Sequence, residues 1–156
     1  MKKPGEYIAH TDTVECYRNS TKGWEILKDY AYIGNGYGHY KFDMVNVRNE
    51  VNKTESIFIT GGIRYDQFEK PTESRLIYRL GDLADGSFGW EEHGRLLQPR
   101  TGHRSWVSYG LQLQEGPDGR RHLRENGDFD NPMVFSVGGH GADGVTENLD
   151  LEYSTI

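Results

Sequence analysis

The feature of this sequence that most restricts its fold is a set of markers that recurs in one order. Each full set contains a Gly-His pair, an apolar run that ends in two glycines, and then a tyrosine. The markers are Tyr17 and Trp24, then Gly38-His39, Gly61-Gly62, Tyr78 and Trp90, and then Gly102-His103, Gly138-Gly139 and Tyr153. Such an internal repeat indicates that the chain is built from copies of one structural unit.

Short runs with the composition of strands lie between these markers. Aromatic and β-branched residues favour strands, and they are frequent at residues 56–59, 74–78, 105–109 and 133–135. The chain also has 20 glycines and an apolar fraction of only 35%, which suits many turns and argues against long amphipathic helices. The sequence therefore predicts an all-β fold with about four strands in each repeat.

The repeated glycines and aromatic residues have physical roles in such a unit. A diglycine allows positive φ and a close approach of neighbouring backbone, where a Cβ would clash. A tyrosine in the third strand and a tryptophan in the fourth supply rings that fill the space between adjacent sheets. We therefore interpret the aromatic markers as packing residues rather than as part of a cofactor site.

Together these markers resemble the kelch repeat, and the resemblance covers nearly the whole chain. Kelch repeats build β-propellers whose blades are four-stranded antiparallel sheets. The resemblance implies the end of a first blade at residues 1–24, a second blade at 25–90 and most of a third at 91–156. A closed propeller has about four to eight blades, so we expect an incomplete propeller. Its open edges would be covered by remaining blades of a longer chain, or by self-association of the isolated chain.

The repeats are longer than an ordinary kelch unit of about 50 residues. Tyr17 and Tyr78 are 61 residues apart, and Tyr78 and Tyr153 are 75 residues apart. We predict the extra residues in three loops, at 44–55, 82–89 and 114–132. The last of these is polar and has too few large apolar residues to order itself.

Charge and composition exclude several classes of function. The net charge of −6 disfavours nucleic acid as a partner, and no apolar run is long enough to cross a membrane. Cys16 is the single cysteine, so an intramolecular disulfide is impossible and a cytoplasmic location is the simpler expectation. The glycosylation-type triplets that begin at Asn19 and Asn52 would matter only in a secreted protein.

The sequence predicts no catalytic residue, cofactor or metal site. The six histidines show no pair at the close spacing of a zinc site. Because His39 and His103 occupy corresponding places in the marker order, we interpret them as structural. The glycine-rich runs at 36–39 and 138–144 lack the Gly-Lys-Ser/Thr ending of a phosphate-binding loop.

The remaining class of function is binding. In kelch propellers, partners usually dock on the loops between the second and third strands and between successive blades. The residues predicted at those loops are Arg64, Tyr65, Asp66, Gln67, Arg100, His103, His140 and Asp143. Arginine pairs readily with carboxylates, so Arg64 and Arg100 predict another protein, or an acidic peptide, as the partner.

The resemblance leaves several uses of such a module open. The first is substrate recognition in an adaptor of a cullin-type ubiquitin ligase. The alternative is a structural, cytoskeletal or extracellular kelch protein. An oxidase with a copper-radical site is a further alternative, although no motif for its crosslinked Tyr–Cys pair is present.

Overall fold

The computed structural model describes residues 14–26, 39–49, 53–65, 71–125, 132–143 and 145–155. Within these ranges the secondary structure consists of strands, with no helix. The strands are β1 (Glu15–Arg18), β2 (Gly23–Ile26), β3 (His39–Tyr40), β4 (Asp43–Arg48), β5 (Glu55–Thr60), β6 (Ile63–Tyr65), β7 (Pro71–Glu73), β8 (Leu76–Asp82), β9 (Phe88–Arg95), β10 (Arg104–Ser108), β11 (Leu111–Glu115), β12 (Arg121–Glu125), β13 (Met133–Val137) and β14 (Leu151–Thr155). All pairings between these strands are antiparallel, which confirms the predicted all-β class.

The largest sheet has four strands in the order β4-β5-β8-β9. Strand β4 shows why these residues form a half-buried sheet: Val45 and Val47 are buried, and the residues beside them are exposed. This alternation has the period of two that a strand requires. Its strands are antiparallel and neighbour one another in chain order, although β6 and β7, between β5 and β8, belong to another sheet, and the pairing of β8 with β9 shifts register between Ile77 and Tyr78.

A second sheet has three strands in the order β10-β13-β14. Its strands correspond to the first three of the larger sheet. Three smaller units complete the described structure: the sheet β3-β6-β7 and the hairpins β1-β2 and β11-β12. The described residues form no helix that could cross a membrane.

The apolar core lies between the two larger sheets. It consists of buried side chains from both of them and from the connection after β9: Val45, Val47, Phe58, Ile77, Leu96 and Val134, with Val107 packed against them. Each fully buried side chain of this size contributes about 1.5–3 kcal/mol of transfer free energy. The sheets therefore pack face to face, with the four-stranded sheet preceding the three-stranded one along the chain.

Two of the predicted insertions are partly strand. Residues 44–48 belong to β4 and Glu55 begins β5, so the prediction of a loop at 44–55 is wrong for these residues. Strand β8 continues to Asp82, and the connection to β9 is a turn in which the Leu83 carbonyl accepts a bond from Gly86 N (3.0 Å). The prediction of a loop at 82–89 is wrong at both ends, because β8 extends to Asp82 and β9 already begins at Phe88.

The polar segment at 114–132 forms part of a hairpin. Strands β11 and β12 pair from Leu111–Glu125 to Glu115–Arg121, and Gly119 at φ +73° completes the turn. All five residues of β12 are exposed. The prediction that this segment does not order itself is therefore wrong for residues 114–125, because a main-chain ladder and a tight turn order it without a core.

Candidate functional site

Both larger sheets present a diglycine at the same end, which we call the diglycine end. Gly61, Gly62, Gly138 and Gly139 all have positive φ, between 59° and 89°. A Cβ on Gly62 would lie 2.8 Å from the Tyr40 carbonyl oxygen, and one on Gly139 would lie 2.7 Å from the Thr101 carbonyl oxygen. The diglycines thus let the chain pass close to the segments that precede β4 and β10.

Arg100 is the most buried large side chain at this end, with no exposed surface. Its guanidinium forms an ion pair with Glu152, at 2.8 Å from Nε and 2.7 Å from Nη2 to the same Oε1. Its Nη1 also donates to the Gly138 carbonyl (2.9 Å), and its own carbonyl accepts from Gly62 N (2.7 Å). Arg100 therefore ties the connection between the two sheets to both diglycines.

This burial removes Arg100 from the set of residues that could contact a partner. The prediction that Arg100 lies on a binding surface is wrong. Its charge is already neutralised by Glu152, a residue 52 positions further along the chain. Of the two arginines that were predicted to bind an acidic peptide, only Arg64 is left as a candidate.

Strand register shows which residues of the two sheets are equivalent. Asp43 lies opposite Thr60 and Arg104 lies opposite Val137, and Thr60 and Val137 each precede a diglycine. Asp43 and Arg104 are therefore equivalent, and so are His39 and Arg100, which lie four residues before them.

His103 therefore corresponds to Phe42, and the prediction that His39 and His103 are equivalent is wrong. The true equivalents make the same contact: His39 Nε2 lies 2.7 Å from the Gly61 carbonyl oxygen, and Arg100 Nη1 lies 2.9 Å from that of Gly138. The two Gly-His pairs suggested the wrong equivalence, because the two histidines differ by three positions in strand register.

The third strands show a matching exchange of partners. Ile59 lies opposite Tyr78 and Ser136 lies opposite Glu152, so Glu152 takes the place of Tyr78. The His39 ring of β3 and the Tyr78 ring of the four-stranded sheet form a T-shaped pair, with 6.4 Å between the ring centroids. An aromatic pair in one repeat is thus replaced by a buried ion pair in the next.

The aromatic markers consequently have unequal surroundings. Tyr78 is buried, whereas Tyr153 is one residue out of register with it and lies opposite Phe135. Such a shift places a side chain on the other face of a sheet, and Tyr153 is accordingly 41% exposed. Tyr17 and Trp24 pair edge to face at 5.6 Å on an exposed hairpin, and Trp90 lies opposite Leu80.

A chain of buried polar groups joins the two sheets beside Arg100. The Thr60 hydroxyl lies 2.8 Å from His103 Nε2 and 2.8 Å from the Ser105 hydroxyl, which is 2.8 Å from the Ser136 hydroxyl. Nδ1 of His103 has no hydrogen-bond partner among the described residues. Burial lowers the pKa of His103 below its ordinary value of 6.5, which favours the neutral ring.

We expect the free energy of unfolding to fall as the pH drops below about 6.5. The unfolded chain binds protons on its histidines in that range, while the folded chain resists protonation at His103 and, for the same reason of burial, at His39. Urea unfolding at pH 7 and pH 5 measures the loss. His103→Gln should reduce this dependence on pH. An unchanged dependence in H103Q would contradict the assignment.

The other predicted binding residues have different roles. Arg64 is half-buried and its Nη1 donates to the Tyr78 hydroxyl (2.9 Å). His103 is buried in the polar chain, and Tyr65 ends β6. Asp66 and Gln67 lie outside the described residues.

His140 and Asp143 belong to the connection between β13 and β14. The backbone of the exposed His140 bridges Thr101 and Glu147. The Asp143 carboxylate accepts bonds from the Thr146 hydroxyl, from Thr146 N (2.7 Å) and from Val145 N (2.9 Å), and these bonds lower its pKa to about 2. Asp143 therefore organises the turn of this connection.

Sequence reasoning missed two exposed aliphatic side chains at the diglycine end. We call Leu97 and Leu149 the leucine surface, because the hydrogen bond between Asn148 and Gln98 brings together the segments that carry them. Leu97 and Leu149 are more than 80% exposed, at 81% and 83%. The Leu-Asp-Leu run at 149–151 was the available signal, but a strand pattern gives no exposure for residues in a loop.

Two side-chain bonds hold the segments of this surface together. Leu97 N donates to Glu152 Oε2, and Asn148 Nδ2 donates to Gln98 Oε1 (3.0 Å). Glu152 thus binds Arg100 with one oxygen and the backbone beside Leu97 with the other. The buried ion pair is therefore also the support of the leucine surface.

A concave surface lies on the outer face of the four-stranded sheet. This groove has a volume of about 330 Å³, and Met44, Asn46, Glu55, Ile57, Leu80 and Phe88 line it. Met44 in this groove is 57% exposed and Phe88 is 45% exposed.

Comparison with known protein families, with curated proteins and with solved structures finds no match to this chain. Among the described residues, no group of three or more His, Cys, Asp or Glu side chains could hold a metal ion. The site is therefore interpreted from its own geometry.

Proposed function

We propose that this chain is a non-catalytic protein-binding module built from kelch-type propeller blades. Two consecutive antiparallel sheets with equivalent registers, each bearing a diglycine at the same place, support the blade assignment. The third of the expected blades contributes β10, β13 and β14. The partner of the proposed module is another polypeptide.

The observation that carries the proposal is the leucine surface. Exposed aliphatic side chains that lie close together commonly mark sites of protein interaction. Here they are presented by backbone that the Arg100–Glu152 ion pair and the Asn148–Gln98 bond hold in place. A surface ordered in advance loses less conformational entropy when a partner binds.

A display selection tests this function directly. The intact chain is immobilised and exposed to a library of random peptides, and the enriched peptides are measured against Leu149→Asp and Leu123→Asp. Both leucines are exposed, but Leu123 lies on β12, in the separate β11-β12 hairpin. We expect L149D to weaken binding about tenfold or more, because a charge replaces an apolar contact, and L123D to bind as the native chain does.

The circular dichroism of both variants should match that of the native chain, since neither leucine is buried. Equal binding by L149D and the native chain would exclude the leucine surface as the site.

A further inference from the structure

The side of the three-stranded sheet that points away from the core is aromatic. The Trp106 ring stacks on the Phe135 ring with 5.3 Å between their centroids, and the Tyr153 ring lies 6.2 Å from that of Phe135. Leu151 is two residues before Tyr153 on β14, so the two side chains lie on the same side of the sheet. We call these four residues the aromatic face. Trp106, Leu151 and Tyr153 are each between 41% and 50% exposed.

The packing of the two larger sheets within the chain shows what such a face contacts. One side of the four-stranded sheet supplies Val45, Phe58 and Ile77 to the apolar core, which also contains residues of the three-stranded sheet. Strand register gives the equivalents of these three residues in the next sheet, which are Trp106, Phe135 and Leu151 respectively. The aromatic face is therefore equivalent to the side by which the four-stranded sheet covers its neighbour.

The groove on the four-stranded sheet is equivalent to the opposite side of this packing. The three-stranded sheet takes part in the core through Val107 and Val134. Their equivalents by register are Asn46 and Ile57, and both of these residues line the groove. The groove thus corresponds to the surface that the three-stranded sheet presents to the four-stranded one.

We propose that the aromatic face of one copy of this chain packs into the groove of a second copy. The contact that joins the two sheets within the chain would be repeated between chains. Because the two faces differ, the interface is heterologous, and such interfaces close into rings or continue as filaments. The inference goes beyond the proposed function, since it concerns neither Leu97 nor Leu149.

The same equivalence brings opposite charges together at the edge of this interface. Within the chain, the Asp43 carboxylate accepts a hydrogen bond from Ser105 N, and its Oδ1 lies 3.8 Å from Arg104 Nη1. Asp43 and Arg104 are equivalent by register. The repeated packing therefore directs Arg104 of one copy, whose side chain is 82% exposed, towards Asp43 of the next. Complementary charge at the rim of an interface favours the correct orientation of the partners.

The experiment places a charge on each face separately. Met44→Asp changes the groove and Leu151→Asp changes the aromatic face, at side chains that are at least half exposed. Leu97→Asp is the matched control, because Leu97 is an exposed leucine outside both faces. Sedimentation velocity over a range of protein concentrations gives the mass of each species, and circular dichroism shows whether each variant keeps the native fold.

We expect the native chain to form species larger than one chain, with an average mass that rises with concentration. M44D and L151D should each associate about tenfold or more weakly, because an aspartate would have to lose its water in an apolar contact. L97D should associate as the native chain does. An equal mixture of M44D and L151D should form a dimer, because the first retains the aromatic face and the second retains the groove.

Three results would overturn the inference: a native chain that stays monomeric at every concentration, association that is unchanged in M44D and L151D, or a mixture of these variants that stays monomeric. If L151D loses the native circular dichroism, M44D alone decides between weakened and unchanged association. Failure of the proposed function is a different result, in which L149D and the native chain bind the selected peptides alike.

Discussion

Replacing Glu152 with alanine is expected to lower the free energy of unfolding by about 3–5 kcal/mol. The substitution leaves the guanidinium of Arg100 without its carboxylate in a site that has no exposed surface, and it also removes the acceptor of Leu97 N. Urea or guanidinium unfolding of the purified chain measures the change.

The matched control is Glu92→Ala. Glu92 also pairs with an arginine, Arg95, but the two side chains are 44% and 56% exposed. Exposed pairs of this kind contribute about 0–1 kcal/mol. If E152A cost no more than E92A, the ion pair would not be a buried element of the folded state.

A double variant keeps this prediction testable if E152A does not fold. Substituting Arg100→Leu together with Glu152→Leu removes both charges, and apolar replacement of a buried ion pair is often neutral or stabilising. We expect the double variant to be more stable than E152A, although Gly138 O and Leu97 N lose their partners. A double variant less stable than E152A would contradict the account.

The second large effect is expected at Gly61. Its φ is +59°, and a Cβ there would lie 2.6 Å from the Arg100 carbonyl oxygen and 2.7 Å from His103 Cε1. Gly61→Ala should therefore cost about 1–2 kcal/mol for the left-handed backbone and about 1–3 kcal/mol more for the clash.

The equivalent glycine of the next sheet separates these two costs. Gly138 has φ +71°, but a Cβ there would meet no atom within 4 Å. Gly138→Ala should therefore show only the backbone cost, about 1–2 kcal/mol. Equal losses in G61A and G138A, measured by the same unfolding experiment, would show that close packing at Gly61 does not exist.

The sequence predicted the class of fold because strand composition, turns and diglycines are local signals. It also located the strands around Phe58, Val107 and Phe135 correctly. It missed β4, although Val45 to Arg48 alternates apolar and polar residues as a strand does. The residues Pro117-Asp118-Gly119 likewise indicated a turn between β11 and β12. The polar composition of the surrounding segment led instead to the prediction of a loop.

The candidate site was harder to predict because it depends on contacts between distant residues. An arginine in a loop sequence resembles a binding residue until its buried partner is known, and Glu152 is 52 residues from Arg100. The strand register could not be predicted from the sequence either: Tyr153 lies one residue after the position that is equivalent to Tyr78. The exposed leucines follow from the same geometry, because Glu152 and Asn148 determine where Leu97 and Leu149 lie.

Hydrogen–deuterium exchange with and without the strongest peptide from the library tests the central claim most directly. Binding at the leucine surface predicts slower exchange of backbone amides at residues 97–98 and 145–151, with little change in β11 and β12. Protection confined to the groove of Met44, Ile57 and Phe88, or to the β11-β12 hairpin, would contradict it.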